Sequence, residues 1–243
     1  MIQAVILAGG AGTRLRPLTD TIPKPMIPVN GRPFLQYIVE WVVKYGVREC
    51  VFCIGYLADK FEEYFGDGSR FGLNIIYSVE SQFLGTAGAI KLAENHLKDD
   101  FFVINGDTFL PVDLYDVYEA YRKTGGTGMI VVYDNSEKVA EGNIDIDEDG
   151  KVLAYGKKEL LKKGDQIVNL GSDSRSYKYV DAGMYVFKKD FLKLVKKDEF
   201  VSLEGHVYPE LINRGELWAY KTSVRYFDLG TPERLEQIRK VFK

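Results

Sequence analysis

Cysteine and histidine are scarce, with two residues of each among the 243 of the chain. Cys50 and Cys53 are spaced C-x-x-C within CVFCIGY, a β-branched and aromatic run that predicts a strand. Side chains at i and i+3 of a strand point to opposite faces, so a shared metal or a disulfide would require distortion. The sequence has no second cysteine pair to complete a zinc site. We therefore expect two buried structural thiols, and we assign no chemistry to His96 and His206, which lack ligand spacing.

A long apolar run and a large excess of one charge are also missing. No stretch approaches the roughly 20 apolar residues of a membrane-spanning helix. The net charge of -3 gives no support for non-specific binding to nucleic acid. Met1 leads directly into the first predicted strand, without the basic and apolar segments of a secretory signal. We therefore expect a cytoplasmic protein without nucleic-acid or membrane partners.

Glycine and cationic residues cluster in the stretch 5–29, which reads VILAGGAGTRLRPLTDTIPKPMIPV. The apolar run 4–8 predicts a buried strand that ends in the glycine loop. A glycine backbone leaves its N–H groups open to a ligand, and the cations Arg14 and Lys24 follow. Prolines on both sides of Lys24 predict a stiff, extended segment. Such a combination suits a polyphosphate and indicates a nucleotide-phosphate site.

Two other glycine loops are excluded by their spacing. A P-loop needs a Gly-Lys-Ser/Thr triplet, which the sequence lacks. The dinucleotide fingerprint fits Gly10 and Gly12, but Leu15 stands where it needs a third glycine. On local grounds alone, a purely structural turn remains an alternative for this loop.

Strands and helices alternate through residue 125, which predicts a parallel sheet with helices on both faces. Beyond that point short strands dominate, and we interpret 159–176 as a loop or mobile insertion. There is no internal repeat or low-complexity linker, so we predict one α/β domain over 1–243, a three-layer Rossmann-like open sheet that is mainly parallel. The predicted strands are 4–8, 50–54, 74–79, 101–104, 128–133, 143–147, 151–155, 180–187, 218–221 and 225–228, and the predicted helices are 33–45, 59–65, 85–97 with Thr86 as cap, 189–196, 207–214 and one that begins at Thr231.

Two aspartates that follow predicted strands are candidates for a metal site. Asp107 lies just past the carboxyl end of strand 101–104, where ligands bind in open α/β sheets. Asp228 ends the last predicted strand, before the helix that begins at Thr231. Mg²⁺ takes hard oxygen ligands and is typically held by one or two carboxylates plus substrate phosphates. For Asp107, an ordinary surface turn is the alternative.

The segments LAGGAGTRLRPLT and PKPMIPV, with NGD at 105–107 and DLGT at 228–231, resemble the signature of the sugar-1-phosphate nucleotidyltransferases. These matches run from the first predicted strand to the last predicted helix, so the resemblance covers nearly the whole chain. It implies the nucleotide-diphospho-sugar transferase fold, with a nucleotide-binding part in 1–125 and a sugar-phosphate-binding part in 126–243. It also implies transfer of a nucleotidyl group from a nucleoside triphosphate (NTP) to a sugar 1-phosphate, with release of pyrophosphate.

The resemblance further implies roles for individual residues. We expect Arg14 to neutralise the β- and γ-phosphates and Lys24 to bridge the two reacting phosphates. Mg²⁺ on Asp107 and Asp228 is expected to orient the α-phosphate. Contacts to the NTP are expected from Leu7, Ala8, Gly9, Gly10, Gly12, Thr13, Arg14, Glu80, Gly85 and Thr86.

Base recognition is expected from residues 77–89, where Glu80 and Gly85 match the family positions that contact the base. A carboxylate accepts hydrogen bonds from guanine N1–H and N2–H₂, whereas uracil and thymine present carbonyl oxygens to it. Glu80 therefore favours GTP. A solvated residue at the end of a strand is the alternative, and uridylyl-transferring members have similar segments.

The sugar 1-phosphate is expected to contact Asn105, Gly142, Lys158 and Asp181. The sequence departs from the family pattern at two positions on the sugar side. Asp181 replaces the usual asparagine, and Lys157 stands where the family has a glutamate. The closest resemblance is to guanylyltransferases that act on D-glycero-α-D-manno-heptose 1-phosphate, followed by those that act on mannose 1-phosphate. We expect no C-terminal β-helix of the kind that larger members carry.

Three alternatives stay open. The first is a uridylyl- or thymidylyltransferase that acts on glucose, N-acetylhexosamine or MurNAc 1-phosphate. The second is a non-catalytic regulatory subunit that binds a nucleotide sugar. The third is a glycosyltransferase with its metal on Asp145 and Asp147, which we interpret instead as a solvated strand face. The sequence also leaves open whether the chain forms homo-oligomers.

Overall fold

A nine-stranded sheet forms the centre of the computed structural model, which describes residues 2–136, 140–156, 160–163, 166–169 and 177–242. The strands in these ranges are, in chain order, β1 (Gln3–Leu7), β2 (Pro28–Val29), β3 (Arg32–Pro33), β4 (Glu49–Ile54), β5 (Asn74–Val79), β6 (Asp100–Asn105), β7 (Thr108–Phe109), β8 (Gly128–Asp134), β9 (Ile144–Ile146), β10 (Val152–Tyr155), β11 (Leu160–Lys163), β12 (Gln166–Asn169), β13 (Tyr179–Lys188), β14 (Leu217–Thr222) and β15 (Phe227–Asp228). The helices are α1 (Phe34–Lys44), α2 (Asp59–Phe65), α3 (Gly85–Leu92), α4 (Leu114–Thr124), α5 (Tyr208–Asn213) and α6 (Pro232–Val241).

The first half of the chain forms the parallel part of the sheet. Strands β6, β1, β4 and β5 lie side by side in that order, and each neighbouring pair is parallel. Strands β6, β1 and β4 are apolar on both faces, as buried parallel strands are. The carboxyl ends of β1 and β6 therefore meet at one edge of the sheet.

The second half of the chain extends the same sheet with antiparallel strands. Strand β13 pairs with β6 along its second half and with β8 on its other side, and β14 is parallel to β8. Near its start β13 also pairs with β9, which forms a hairpin with β10. The expected α/β sheet is thus confirmed, with antiparallel strands contributed by the second half.

Alternate residues of the strands fill two hydrophobic clusters, one on each face of the sheet. Ala4 and Ile6 face one cluster, whereas Val5 faces the other. Helices α1, α2, α4 and α6 cover the first face, and α3 and α5 cover the second. Cys50 and Cys53 are free, buried thiols in opposite clusters, as their spacing predicts. None of the helices in the described part of the chain has the length and apolarity needed to cross a membrane.

Several predicted boundaries and connections are wrong in detail. Helix α3 ends at Leu92, and a separate 3-10 turn covers Glu94–His96. Thr86 is not its cap, because Leu84 occupies that position without a side-chain hydrogen bond. Within 159–176, which we predicted as a loop, β11 and β12 form an antiparallel pair. By contrast, the Thr231 side chain accepts a hydrogen bond from Arg234 N at 3.4 Å, which confirms it as the cap of α6.

Candidate active site: a cleft at the carboxyl ends of the central strands

A cleft of about 360 Å³ opens where the carboxyl ends of β1 and β6 meet the glycine loop. It brings together all ten residues predicted to contact the NTP, from Leu7 to Thr86, although they come from two separate segments of the chain. Lys24, Asn105 and Asp107 also line it. The structure thus places the predicted phosphate and base residues and one of the two predicted metal residues, Asp107, around one cavity.

The glycine loop packs closely against the segment that carries Lys24. After β1 the chain enters a 3-10 turn at Thr13–Leu15, and Gly12 precedes this turn with a left-handed φ of 61°. A Cβ on Gly12 would lie 2.9 Å from Lys24 Cβ and 3.0 Å from Thr19 Cγ2, so only glycine lets the Lys24 segment pack against the loop. A Cβ on Gly10 would meet no atom within 4 Å, which leaves that part of the loop open toward a ligand. Arg14 is exposed and lines the cleft.

Lys24 lies deep in the cleft and pairs with the candidate metal residue. Its Nζ is 2.5 Å from Asp107 Oδ2, and the whole residue is only 8% exposed. The other oxygen of the carboxylate, Oδ1, accepts a hydrogen bond of 3.1 Å from Thr108 Oγ1. The expected extended conformation is wrong at Lys24, because Lys24–Met26 form a 3-10 turn between extended residues at Pro23 and Ile27. The flanking prolines restrict the backbone on either side of Lys24, and the ion pair with Asp107 holds its ammonium group.

Asp228 is brought next to Asp107 by two short strands. Strand β15 pairs with β7 so that Asp228 lies opposite Thr108, and Leu229 N donates to Asp107 O at 3.0 Å. Asp228 lines a smaller pocket of about 90 Å³ beside the main cleft. Its Oδ2 accepts a hydrogen bond from Arg234 Nη1 at 2.5 Å.

The pair of aspartates fits a magnesium site. Both supply hard carboxylate oxygens, and Mg²⁺ is usually held by one or two carboxylates together with phosphate oxygens from the substrate. No group of three or more potential metal-ligating side chains occurs in the part of the chain that the structure describes. Tight metal binding by an all-protein cage is therefore not the arrangement that these residues offer.

Glu80 is buried, so the interpretation of a solvated strand end is wrong. The residue is 9% exposed, and its Oε2 accepts a hydrogen bond from Leu84 N at 3.0 Å. Burial raises the pKa of its carboxyl, and the Leu84 hydrogen bond opposes this shift. The carboxylate packs against Gly9 and Gly55, where any Cβ would collide with it. Glu80 thus lines the cleft with part of its acceptor capacity already used.

A distant segment, 198–204, braces the loop that follows Glu80, and the sequence contains no signal for it. Val201 N donates to Leu84 O at 2.9 Å, and Ala87 N donates to Val201 O at 3.0 Å. The Thr86 hydroxyl accepts from Leu203 N at 2.7 Å and donates to Glu204 Oε2 at 3.0 Å. The Thr86 hydroxyl therefore ties the two loops together. Phe83, another residue that sequence reasoning missed, lines the cleft with an exposed ring.

Of the predicted sugar-phosphate residues, only Asn105 lines the main cleft among the residues that the structure describes. Asp181 Oδ2 accepts hydrogen bonds from the Tyr155 and Tyr185 hydroxyls, both at 3.0 Å, and its Oδ1 accepts from Gly183 N at 2.8 Å. Gly142 lies against the backbone of Tyr177, whose carbonyl oxygen leaves no room for a Cβ. Lys158 lies outside the described residues.

The Asp145 and Asp147 pair is occupied in local backbone contacts. Asp147 Oδ1 accepts a 2.7 Å hydrogen bond from Lys151 N and so closes the β9–β10 turn. Asp145 Oδ1 accepts from Ile146 N at 3.1 Å. Neither aspartate lines the cleft. These contacts favour a turn-stabilising role over a glycosyltransferase metal site.

Comparison with known proteins agrees with the motif-based resemblance. A family described as nucleotidyl transferase matches residues 3–242. The mannose-1-phosphate guanylyltransferase of Mycobacterium tuberculosis is 33% identical over 235 residues, which are 96% of this chain and 62% of the relative. The D-glycero-alpha-D-manno-heptose 1-phosphate guanylyltransferase of Campylobacter jejuni is 31% identical over 235 residues, 96% of each chain. The UTP–glucose-1-phosphate uridylyltransferase of Synechocystis is 28% identical over 256 residues, 99% of this chain and 63% of the relative.

Among solved structures, HddC from Yersinia pseudotuberculosis complexed with GMP-PN superposes with a TM-score of 0.79 at 29% identity, over 100% of both chains. The chain spans only about three fifths of the Mycobacterium and Synechocystis relatives. It covers nearly the full length of the Campylobacter relative and of HddC.

Proposed function

Because this chain belongs to the nucleotidyl transferase family, we propose that it transfers a nucleotidyl group from an NTP to a sugar 1-phosphate. An oxygen of the sugar phosphate attacks the α-phosphorus, a new P–O bond forms, and the bond to the β-phosphate breaks. The products are a nucleoside-diphosphate sugar and pyrophosphate. The observation that carries this proposal is the single cleft in which the glycine loop, Lys24 and Asp107 meet.

Charge neutralisation and positioning are the catalytic tasks that this cleft can perform. Arg14 is exposed at the loop, where its side chain can reach the β- and γ-phosphates and stabilise the leaving pyrophosphate. Lys24 exchanges its contact with Asp107 for the two reacting phosphates, since a compact ammonium can bridge anionic oxygens. Neither step needs a covalent nucleophile.

Asp107 and Asp228 are the residues that would hold Mg²⁺. When bound, the ion offsets the charge of the α-phosphate and fixes its orientation. The β7–β15 pairing and the hydrogen bond from Leu229 N to Asp107 O hold the backbones of the two aspartate segments together.

GTP is the nucleotide that we propose. The buried Glu80 carboxylate, which lies in the wall of the cleft, can accept hydrogen bonds from guanine N1–H and N2–H₂. Two of the relatives are named guanylyltransferases, and HddC was crystallised with GMP-PN. The uridylyltransferase relative supports the alternative base, so the nucleotide requires a direct test.

Heptose 1-phosphate or mannose 1-phosphate is the proposed acceptor, in keeping with the names of the guanylyltransferase relatives. Asn105 is positioned to contact it from the main cleft. Gly142, Lys158 and Asp181 remain proposed contacts on the side contributed by residues 126–243. Because these substrates are nucleotides and sugar phosphates, we propose a cytoplasmic location for the reaction.

A matrix of substrates tests the proposal. Pyrophosphate release is measured with Mg²⁺ for GTP, ATP, UTP, CTP and dTTP, each with heptose, mannose, glucose and N-acetylhexosamine 1-phosphates. We expect strong release from GTP with the heptose or mannose compound. A strong UTP or dTTP response would keep the reaction and overturn the role of Glu80. Binding of nucleotide without release from any pair would instead identify a non-catalytic regulatory subunit.

A further inference from the structure

Each candidate metal ligand is neutralised by its own cation. Lys24 Nζ lies 2.5 Å from Asp107 Oδ2, and Arg234 Nη1 lies 2.5 Å from Asp228 Oδ2. Within these two ion pairs, the charges of the two carboxylates and the two cations cancel. A dication that enters the site must therefore compete with two ion pairs that already exist.

The two ion pairs differ in whether a bound nucleotide can compete for the cation. Lys24 lines the main cleft, where the phosphates of a nucleotide can draw its ammonium away from Asp107. Arg234 lies in the smaller adjacent pocket with Asp228 and is absent from the wall of the main cleft. Nucleotide binding thus frees Asp107 and leaves the Asp228 pair in place.

Local structure holds Arg234 against Asp228. Arg234 occupies the first turn of α6, where Thr231 caps the helix through Arg234 N. The space beside Gly230 is filled by the ion pair, since a Cβ there would lie 2.4 Å from Asp228 Oδ1 and 3.1 Å from Arg234 Nη1. The Asp228 side chain is only 19% exposed, so its pairing is partly protected from solvent.

We propose that Arg234 is a positioning residue that keeps metal binding dependent on nucleotide. By holding one oxygen of Asp228 and adding a positive charge, it weakens the affinity of the free protein for a divalent cation. The phosphates of the nucleotide then supply the negative charge that makes the site attractive to Mg²⁺. This inference rests on the proposed assignment of the metal to Asp107 and Asp228.

The test measures metal binding by the free protein, without nucleotide or sugar phosphate. Mn²⁺ serves as the probe, and the free ion is quantified by electron paramagnetic resonance. We expect Arg234→Gln to bind Mn²⁺ about tenfold more tightly than the wild type, because a nearby positive charge has been removed. Arg234→Lys, which keeps the charge, should stay within about twofold of the wild type. Arg239→Gln is the matched control, since Arg239 is on the same helix but pairs with Glu236.

A double variant locates the effect. If the gain arises at Asp228, adding Asp228→Asn to Arg234→Gln removes it, whereas an unrelated site would leave it intact. A single Arg234→Gln variant that is folded but binds Mn²⁺ no more tightly than the wild type overturns the inference. The result is independent of turnover, so a failure of the substrate matrix would refute the proposed function without changing this measurement.

Discussion

Lys24 Nζ lies 2.5 Å from Asp107 Oδ2, although the two residues are 83 positions apart in the chain. The ammonium comes from a short turn between prolines, and the carboxylate follows the central strand β6. A cation in direct contact with a candidate metal ligand in a cleft of about 360 Å³ is an arrangement suited to phosphoryl chemistry. The contribution of each residue to this site can be tested by a single substitution.

Replacement of Lys24 by methionine should lower kcat about 100- to 1,000-fold, because it removes the charge proposed to bridge the reacting phosphates. The apolar stem of the side chain is retained, so the cleft should stay packed. Lys123→Met, at an exposed position on α4, is the matched control and should leave kcat unchanged. An unaltered kcat in a folded Lys24→Met protein would remove Lys24 from the mechanism.

Replacement of Glu80 by glutamine should reduce the preference for GTP over UTP about 10- to 100-fold in kcat/KM. Glutamine keeps an acceptor for Leu84 N but replaces a charged acceptor with an amide that also donates. Glu119→Gln, exposed on α4, controls for loss of a carboxylate. A preference that survives Glu80→Gln would assign base selection to other groups.

The raised pKa of Glu80 predicts that both stability and nucleotide preference depend on pH. Burial raises the pKa of Glu80, so on acidification the folded protein protonates this group before an unfolded chain would. Its contribution to stability therefore falls as pH rises from the ordinary glutamate pKa through the raised one. The proposed contact with guanine uses the charged form of the carboxylate, so the preference for GTP should weaken as pH falls toward the raised pKa. In Glu80→Gln, the ratio of kcat/KM for GTP and UTP should not change with pH.

A side chain at Gly183 is predicted to be strained. Its φ of 72° is left-handed, and a Cβ would lie 3.1 Å from both Asn105 Nδ2 and Thr108 Cβ. Gly183→Ala should cost about 1–2 kcal/mol of unfolding free energy in urea. It should also lower kcat/KM about tenfold, because the turn that carries Asp107 shifts.

Gly125→Ala separates these two effects. Gly125 has a similar φ of 64°, but a Cβ there would meet no atom within 4 Å. Its variant should lose about 1 kcal/mol of stability and keep full activity. Equal loss of activity in both variants would contradict the proposed link between Gly183 and the site.

The two thiols should be inert in the folded protein. Cys50 and Cys53 are buried on opposite faces of the sheet, and burial raises the pKa of Cys53 to about 12. Ellman's reagent at pH 8 should therefore label neither thiol until denaturant is added, and then label two. Rapid labelling without denaturant would show that a strand opens readily.

The sequence predicted those features that are encoded locally. The glycine loop, the apolar strands and the carboxylates at strand ends each follow from a few neighbouring residues, and together they predicted the parallel part of the sheet and the phosphate side of the cleft. The resemblance to the family supplied Glu80, Gly85 and Thr86. The C-x-x-C spacing predicted the opposite faces of Cys50 and Cys53 for the same reason.

Contacts between distant segments could not be predicted in this way. The brace of Val201 on the Leu84 loop joins residues more than 100 positions apart, and neither has a distinctive motif. In the sequence, Arg234 has no feature that distinguishes it from other residues in the first turn of a helix. Only the structure shows that it pairs with Asp228 in the space beside Gly230. The 3-10 turn at Lys24–Met26 was not predicted, because proline restricts φ but does not by itself determine whether the neighbouring residues form a turn.

The most direct test of nucleotidyl transfer identifies the phosphorus-containing products. Wild-type protein is incubated with Mg²⁺, GTP and mannose or heptose 1-phosphate, and ³¹P nuclear magnetic resonance records the products over time. We predict that pyrophosphate and a diphosphate-bridged nucleotide sugar appear in equal amounts, only when both substrates are present. Release of free nucleoside diphosphate, or persistence of both substrates with every NTP and sugar phosphate, would contradict nucleotidyl transfer in this cleft.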